Sequence, residues 1–158
     1  QLLLEQRSVN RRECNCPTQQ IQKYHTKISG PLLDRIDFNL TVPAVEYEKL
    51  AEARQEESSK NIRECVVRSL QIQQELFRNS STRNNSEMTR KELESHAELS
   101  DASRKMLEQA MTKMGLSTRA DGRILKVART IVDLVEQENI DTFHVAEGIQ
   151  YLNLDRPV

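Results

Sequence analysis

"LSTRADGRILKVARTIVDLVEQEN", residues 116–139, has Ser117 placed as a helix N-cap and a periodic run to about Gln137. At about 100° per residue, Ile124, Ala128, Ile131 and Val135 gather on one side. Arg119, Arg123, Lys126 and Thr130 form a narrow stripe on the other. An apolar side of that length needs other helices to cover it, and the flanking sequence supplies them. Ser58 or Ser59 caps a helix to about Phe77, with Ile62, Val66, Leu70 and Phe77 on its inner stripe. Thr89-x-x-Glu92 is a capping box that opens a short helix to about Glu98. Ser100 opens another, with Met106, Leu107, Ala110, Met111 and Met114 inward and Gly115 as its C′ residue. Asp141 caps a last helix bearing Phe143, Val145, Ala146 and Ile149. The polar stretch 79–87 reads as a mobile loop by composition.

Composition agrees with a mainly α chain. Aromatic residues make up 4% of the 158, Trp is absent, and there are 4 Gly and 4 Pro. The net charge of −1 hides many charges of both signs, which argues against a bulk polybasic binder of nucleic acid or membrane. No run reaches the apolar length of a membrane span. Three cysteines, an odd count in no dense pattern, favour a reducing cytoplasm.

The N-terminal third is different. Residues 1–13 are polar and aperiodic, a tail or a mis-joined segment. A helix is expected from Pro17 to Ile28, with Ile21, Tyr24, His25 and Ile28 at helical spacing, stopped by Gly30 and Pro31. In "DFNLTVP", Phe38, Leu40 and Val42 alternate with Asn39 and Thr41 as in a half-buried strand. A lone strand cannot satisfy its own backbone, so this one belongs to a sheet completed elsewhere. Just before it, Arg35 sits between Asp34 and Ile36, in "SGPLLDRID". It is either a surface ion pair or a cation held up to a charge on another chain.

Few residues could carry chemistry. Arg119 and Arg123 lie in the first two turns of their helix, where the macrodipole disfavours cations. Helix-start amides beside guanidinium groups make a good anion or phosphate site, and a solvated basic face is the plain alternative. Cys14-x-Cys16 is half a zinc pattern; Cys65 lies inside a helix and His25 on a helix face, so no metal site is expected. None of the four glycines builds a phosphate loop, and no nucleophile pattern stands out.

The stretches "CNCPTQQIQKYHTKISGPLLDRIDFNLTVPAV" and "GLSTRADGRILKVARTIVDLVEQENIDTFHVAEGIQYLNLDR" closely resemble the C-terminal half of magnesium-chelatase-like AAA+ ATPases, in particular the bacterial competence-associated, ComM-type group. The resemblance implies a helical AAA+ lid over residues 46–158, preceded over 14–45 by a remnant of the α/β core, one helix and one strand. It places Arg35 as a trans-acting arginine finger, and Arg119 as the sensor-2 arginine with Arg123 as second choice. Walker A, Walker B and sensor-1 motifs, which the family carries upstream, are not in these residues. The chain then reads as a piece that does not hydrolyse ATP alone or hold ATP and Mg²⁺ tightly. The implied parent is a cytoplasmic, ATP-driven homo-oligomeric ring, expected to be a hexamer, acting on DNA. The alternatives are a helical adaptor that lays the Arg119/Arg123/Lys126 face on nucleic-acid phosphates, and a magnesium chelatase subunit proper.

Overall fold

The computed structural model describes residues 16–25, 27, 36–40, 42 and 57–152, without the side chains of Tyr24 and His25. The chain divides into two compact units, Gln1–Glu56 and Glu57–Val158. In the first, helix α1 spans Thr18–His25, and the Pro17 carbonyl accepts from the Gln20 and Ile21 amides at 2.9 and 3.3 Å. It is shorter than the expected Pro17–Ile28 helix. No strand forms at 36–40 or 42, and Leu40 and Val42 are largely exposed. The alternating pattern forms no strand among the described residues, because a strand exists only as part of a ladder. Cys14, Arg35 and the boundary expected at 45/46 lie outside the described residues.

The second unit is helical: α2 (Ser59–Leu76), a 3₁₀ turn (Asn85–Glu87), α3 (Arg90–His96), α4 (Asp101–Met114), α5 (Thr118–Leu134) and α6 (Thr142–Leu152). Its starts are set by local chemistry. The Ser58 hydroxyl accepts from the Asn61 amide at 3.2 Å, and the full Thr89/Glu92 capping box is made. Ser100 accepts from the Ser103 amide at 3.2 Å, and α4 stops at Gly115, whose φ of 58° is the left-handed conformation glycine tolerates best. Helix α5 is the hub: α6 and α2 pack along it, with α3 and the 3₁₀ turn against its flank, while α4 packs on α6. The core is Phe77, Met88, Leu93, Leu107, Ile124, Ala128, Val132, Ile140 and Val145, with alanines filling the close approaches. Among the described residues an isolated parallel bridge joins Leu99 to Ile140.

Several sequence expectations need correction here. On α2 only Phe77 of the expected stripe is buried; Ile62, Val66 and Leu70 are 50%, 45% and 43% exposed. The buried positions are Ser69, Gln73 and Phe77, so the inward line is polar where α2 meets α5. On α6 Phe143 points outward, while His144 and Val145 are buried and His144 Nδ1 accepts from the Asp141 amide at 3.0 Å. Stretch 79–87 is laid against the helices rather than loose: Asn85 is buried, and its amide N–H reaches Gln73 Oε1 at 3.1 Å. Helix α5 ends at Leu134, short of Gln137, because Glu136 turns left-handed at φ 55°.

Candidate functional site

The start of α5 is where the sequence put its anion-binding arginines. Ser117 has N-cap backbone geometry, φ −73° and ψ 160°, yet its side chain makes no capping bond. Its hydroxyl is shut away from solvent and has no hydrogen-bond partner among the described residues. The first turn therefore has its positive dipole end uncovered by a side chain. Asp121 supplies one carboxylate in that turn, and Arg90 reaches it from α3 with Nη1 at 3.4 Å. Arg119 is exposed at this end, and Arg123, one turn further, is half-buried.

The expected four-residue stripe does not survive as a surface. Lys126 Nζ donates to the Ser86 carbonyl at 2.7 Å, and the Thr130 hydroxyl donates to the Lys126 carbonyl at 2.8 Å. Thr130 Oγ1 also accepts from Asn85 Nδ2 at 3.1 Å. The C-terminal half of the stripe thus clamps the 79–87 stretch, and only Arg119 and Arg123 stand nearer the helix start.

Sequence reasoning missed the polar cluster beneath that clamp. Arg129 Nε donates to Asp133 Oδ1 at 2.8 Å, and Arg129 Nη1 donates to the Glu138 carbonyl at 2.8 Å. Asn85 Nδ2 donates to Asp133 Oδ2 at 2.6 Å. Both members of the ion pair are buried. The only sequence sign was the Arg129-x-x-x-Asp133 spacing, which normally marks an exposed i,i+4 pair. The cluster is a strut: it fixes α5 against α2 and the 3₁₀ turn, and so fixes the direction in which the Arg119 end points.

Cys16 and Cys65 are not joined in a disulfide, and Cys65 Sγ lies 3.7 Å from the Leu134 carbonyl. Among the described residues no group of three or more His, Cys, Asp or Glu side chains is gathered as a metal site. None of the described helices is long and apolar enough to cross a membrane.

Comparison with known proteins fits this architecture. The family described as "Magnesium chelatase, subunit ChlI C-terminal" matches residues 56–152, and "Magnesium chelatase, subunit ChlI" matches residues 5–50. The second match begins inside the segment expected to be a tail and includes Arg35. Competence protein ComM of Haemophilus influenzae is 39% identical over 134 residues, covering 84% of this chain and 26% of that protein. The uncharacterized protein YifB of Salmonella typhimurium is 32% identical over 142 residues, covering 89% of this chain and 27% of its own length. YifB of Escherichia coli is 31% identical over the same length. The chain spans about a quarter of the curated relatives it matches. The helical unit and the family matches agree, and the chain belongs to the magnesium chelatase subunit ChlI family.

Proposed function

We propose that this chain carries the lid and the arginine finger of a magnesium-chelatase-like AAA+ ATPase, whose longer parent is an ATP-driven ring motor acting on DNA. The observation that supports the lid role best is the start of α5: an exposed Arg119 beside a helix end that Ser117 does not cap. Such an end suits the phosphates of ATP, with amides and a guanidinium converging on one anion. Arg119 is the sensor that reports nucleotide to the lid, and Arg123, half-buried behind it, is the second choice. Arg35 is the finger that meets the γ-phosphate of a neighbouring subunit. Mg²⁺ bound with the nucleotide would offset phosphate charge, and no residue of this chain is assigned to hold it. DNA as the substrate rests on the resemblance to the competence-associated group alone.

The rival reading, a basic face laid directly on nucleic-acid phosphates, is weakened because Lys126 is tethered to the Ser86 carbonyl and, like Arg123, is half-buried. The test is made in the full-length parent. Arg119→Ala is expected to lower ATP hydrolysis by at least about tenfold, and Arg35→Ala to lower it by about 10³-fold or more with nucleotide binding nearly intact. Undiminished turnover by Arg119→Ala would remove the sensor role.

A further inference from the structure

Helix α2 is anchored over one half only. Its buried positions, Ser69 and Gln73, and Phe77 at its C-cap all lie in the second half. There Gln73 Oε1 accepts from the Asn85 amide at 3.1 Å, and the Phe77 ring meets that of His96 edge-on with centroids 5.5 Å apart. Residues 59–68 differ: none is buried, and Cys65 alone is half-buried. Among the described residues, two polar contacts tie this stretch to another element. Cys65 Sγ lies 3.7 Å from the Leu134 carbonyl, and a thiol is a weak donor. Arg68 Nε donates to Glu136 Oε1 at 2.7 Å, with both side chains more than half exposed.

Local chemistry does little to hold those ten residues helical. Ile62, Val66 and Val67 are β-branched, and their side chains lose rotamer freedom against the preceding turn. The first turn has no acidic residue and carries Lys60 at the positive end of the helix dipole. Favouring the helix are the Ser58 cap on the Asn61 amide at 3.2 Å and the exposed Lys60–Glu64 pair at 3.9 Å. A helical stretch this short is marginal in water unless tertiary packing holds it. The buried positions give the second half that packing; the first half has two exposed tethers.

We infer that residues 59–68 form an arm that opens on its own, with Ser69 as its pivot, while the rest of the helical unit stays folded. Opening breaks the Arg68–Glu136 pair and lifts Cys65 from the end of α5. The second unit begins at Glu57, two residues before the arm. Opening therefore lengthens the chain between the first unit and the anchored part of the second. Ten residues span about 15 Å as helix and up to about 33 Å when extended. The arm is a reserve of chain at the junction, kept wound by an exposed ion pair and a single cap.

The test is amide hydrogen exchange on the whole chain at residue resolution, at several urea concentrations below the unfolding transition. Amides of residues 62–68 bond to carbonyls of 58–64, whereas those of 73–77 bond to carbonyls of 69–73, beyond the arm. The first set is expected to exchange at least about 100-fold faster, at a rate that urea barely changes, because a local opening exposes little surface. The second set should quicken with urea as global unfolding does. Ile124→Val trims the core of the unit at a fully buried position away from the arm. It should raise the rate of the second set by about two- to tenfold and leave the first unchanged, since the opened arm keeps that core intact. Equal protection in both sets, or equal urea dependence, overturns the inference. So does a rise in Ile124→Val that both sets share, because α2 then opens only when the whole unit does.

Discussion

Arg129 and Asp133 show how much one residue pair can hold. Removing one partner of a buried ion pair leaves a charge without solvent or counter-charge, which costs about 3–5 kcal/mol. Asp133→Ala should therefore destabilise the helical unit by that much in urea unfolding, because it orphans Arg129 and one bond from Asn85. Adding Arg129→Met should recover part of the loss, since the stranded cation is then gone. A single-variant loss below about 1 kcal/mol would show the pair to be solvated in solution. Glu92 works differently. Its carboxylate accepts from Ser80 Oγ at 2.5 Å, from Thr82 Oγ1 and the Thr89 amide at 2.8 Å each, and from the Thr89 hydroxyl at 2.8 Å. These bonds, that from Ser80 foremost, favour the ionised form and lower its pKa from 4.5 to about 2. A depressed folded-state pKa gives stability that is present above about 4.5 and lost as pH falls towards 2. Glu92→Gln should flatten the pH dependence of unfolding in that window, and an unchanged slope there would dismiss the role. The Thr89–Glu92 box was legible in the sequence because both partners are three residues apart. The bonds to Ser80 and Thr82 were not, because they depend on how the intervening chain folds back.

Element by element, legibility follows the same line. Helix starts and the Gly115 stop were readable, since caps and left-handed turns are local chemistry. The inward face of α2 was not, because its stripe of Ile62, Val66 and Leu70 is a periodic signal that does not say which side meets α5. The polar line Ser69–Gln73 won that contact through hydrogen bonds to a stretch read as mobile. Composition misjudged 79–87 because one buried asparagine with three bonded partners outweighs eight polar neighbours. Gly148 shows the reverse case, a residue whose smallness is required by a neighbour. A Cβ there would lie 3.2 Å from the Ile124 carbonyl oxygen, a backbone atom of α5 that cannot swing aside. Gly148→Leu is expected to push α6 off α5 and to cost about 1–3 kcal/mol in thermal or urea unfolding. A melting temperature equal to that of the wild type would mean that the α5–α6 contact is looser than this spacing implies.

At the scale of the whole molecule, the fold class was open to sequence reasoning, and of the candidate site the placement of Arg119 was. The position of Arg119 at an exposed helix start was legible from Ser117 and the heptad-like run behind it. Which cations stay available was not, since the partner of Lys126 lies 40 residues away in sequence. Arg35 belongs to the other unit and, by the proposal, acts on a site that this chain does not contain, so its role is tested between subunits of the parent. An arginine finger contacts charge that develops on the transferring phosphoryl group and contributes about 10³–10⁵-fold in rate. A parent subunit with Arg35→Ala keeps its own ATP site but offers its neighbour no finger; a subunit lacking the phosphate-loop lysine has the opposite defect. Each is expected to be inactive alone. Mixed rings contain some interfaces that join an intact ATP site to an intact Arg35, so ATPase activity should return in part, rising and falling with the mixing ratio. If mixed rings form and no activity returns, the finger does not act across the interface. The ion-pair reading, Arg35 with Asp34 or Asp37, predicts a different result: undiminished hydrolysis by rings made of Arg35→Ala subunits alone.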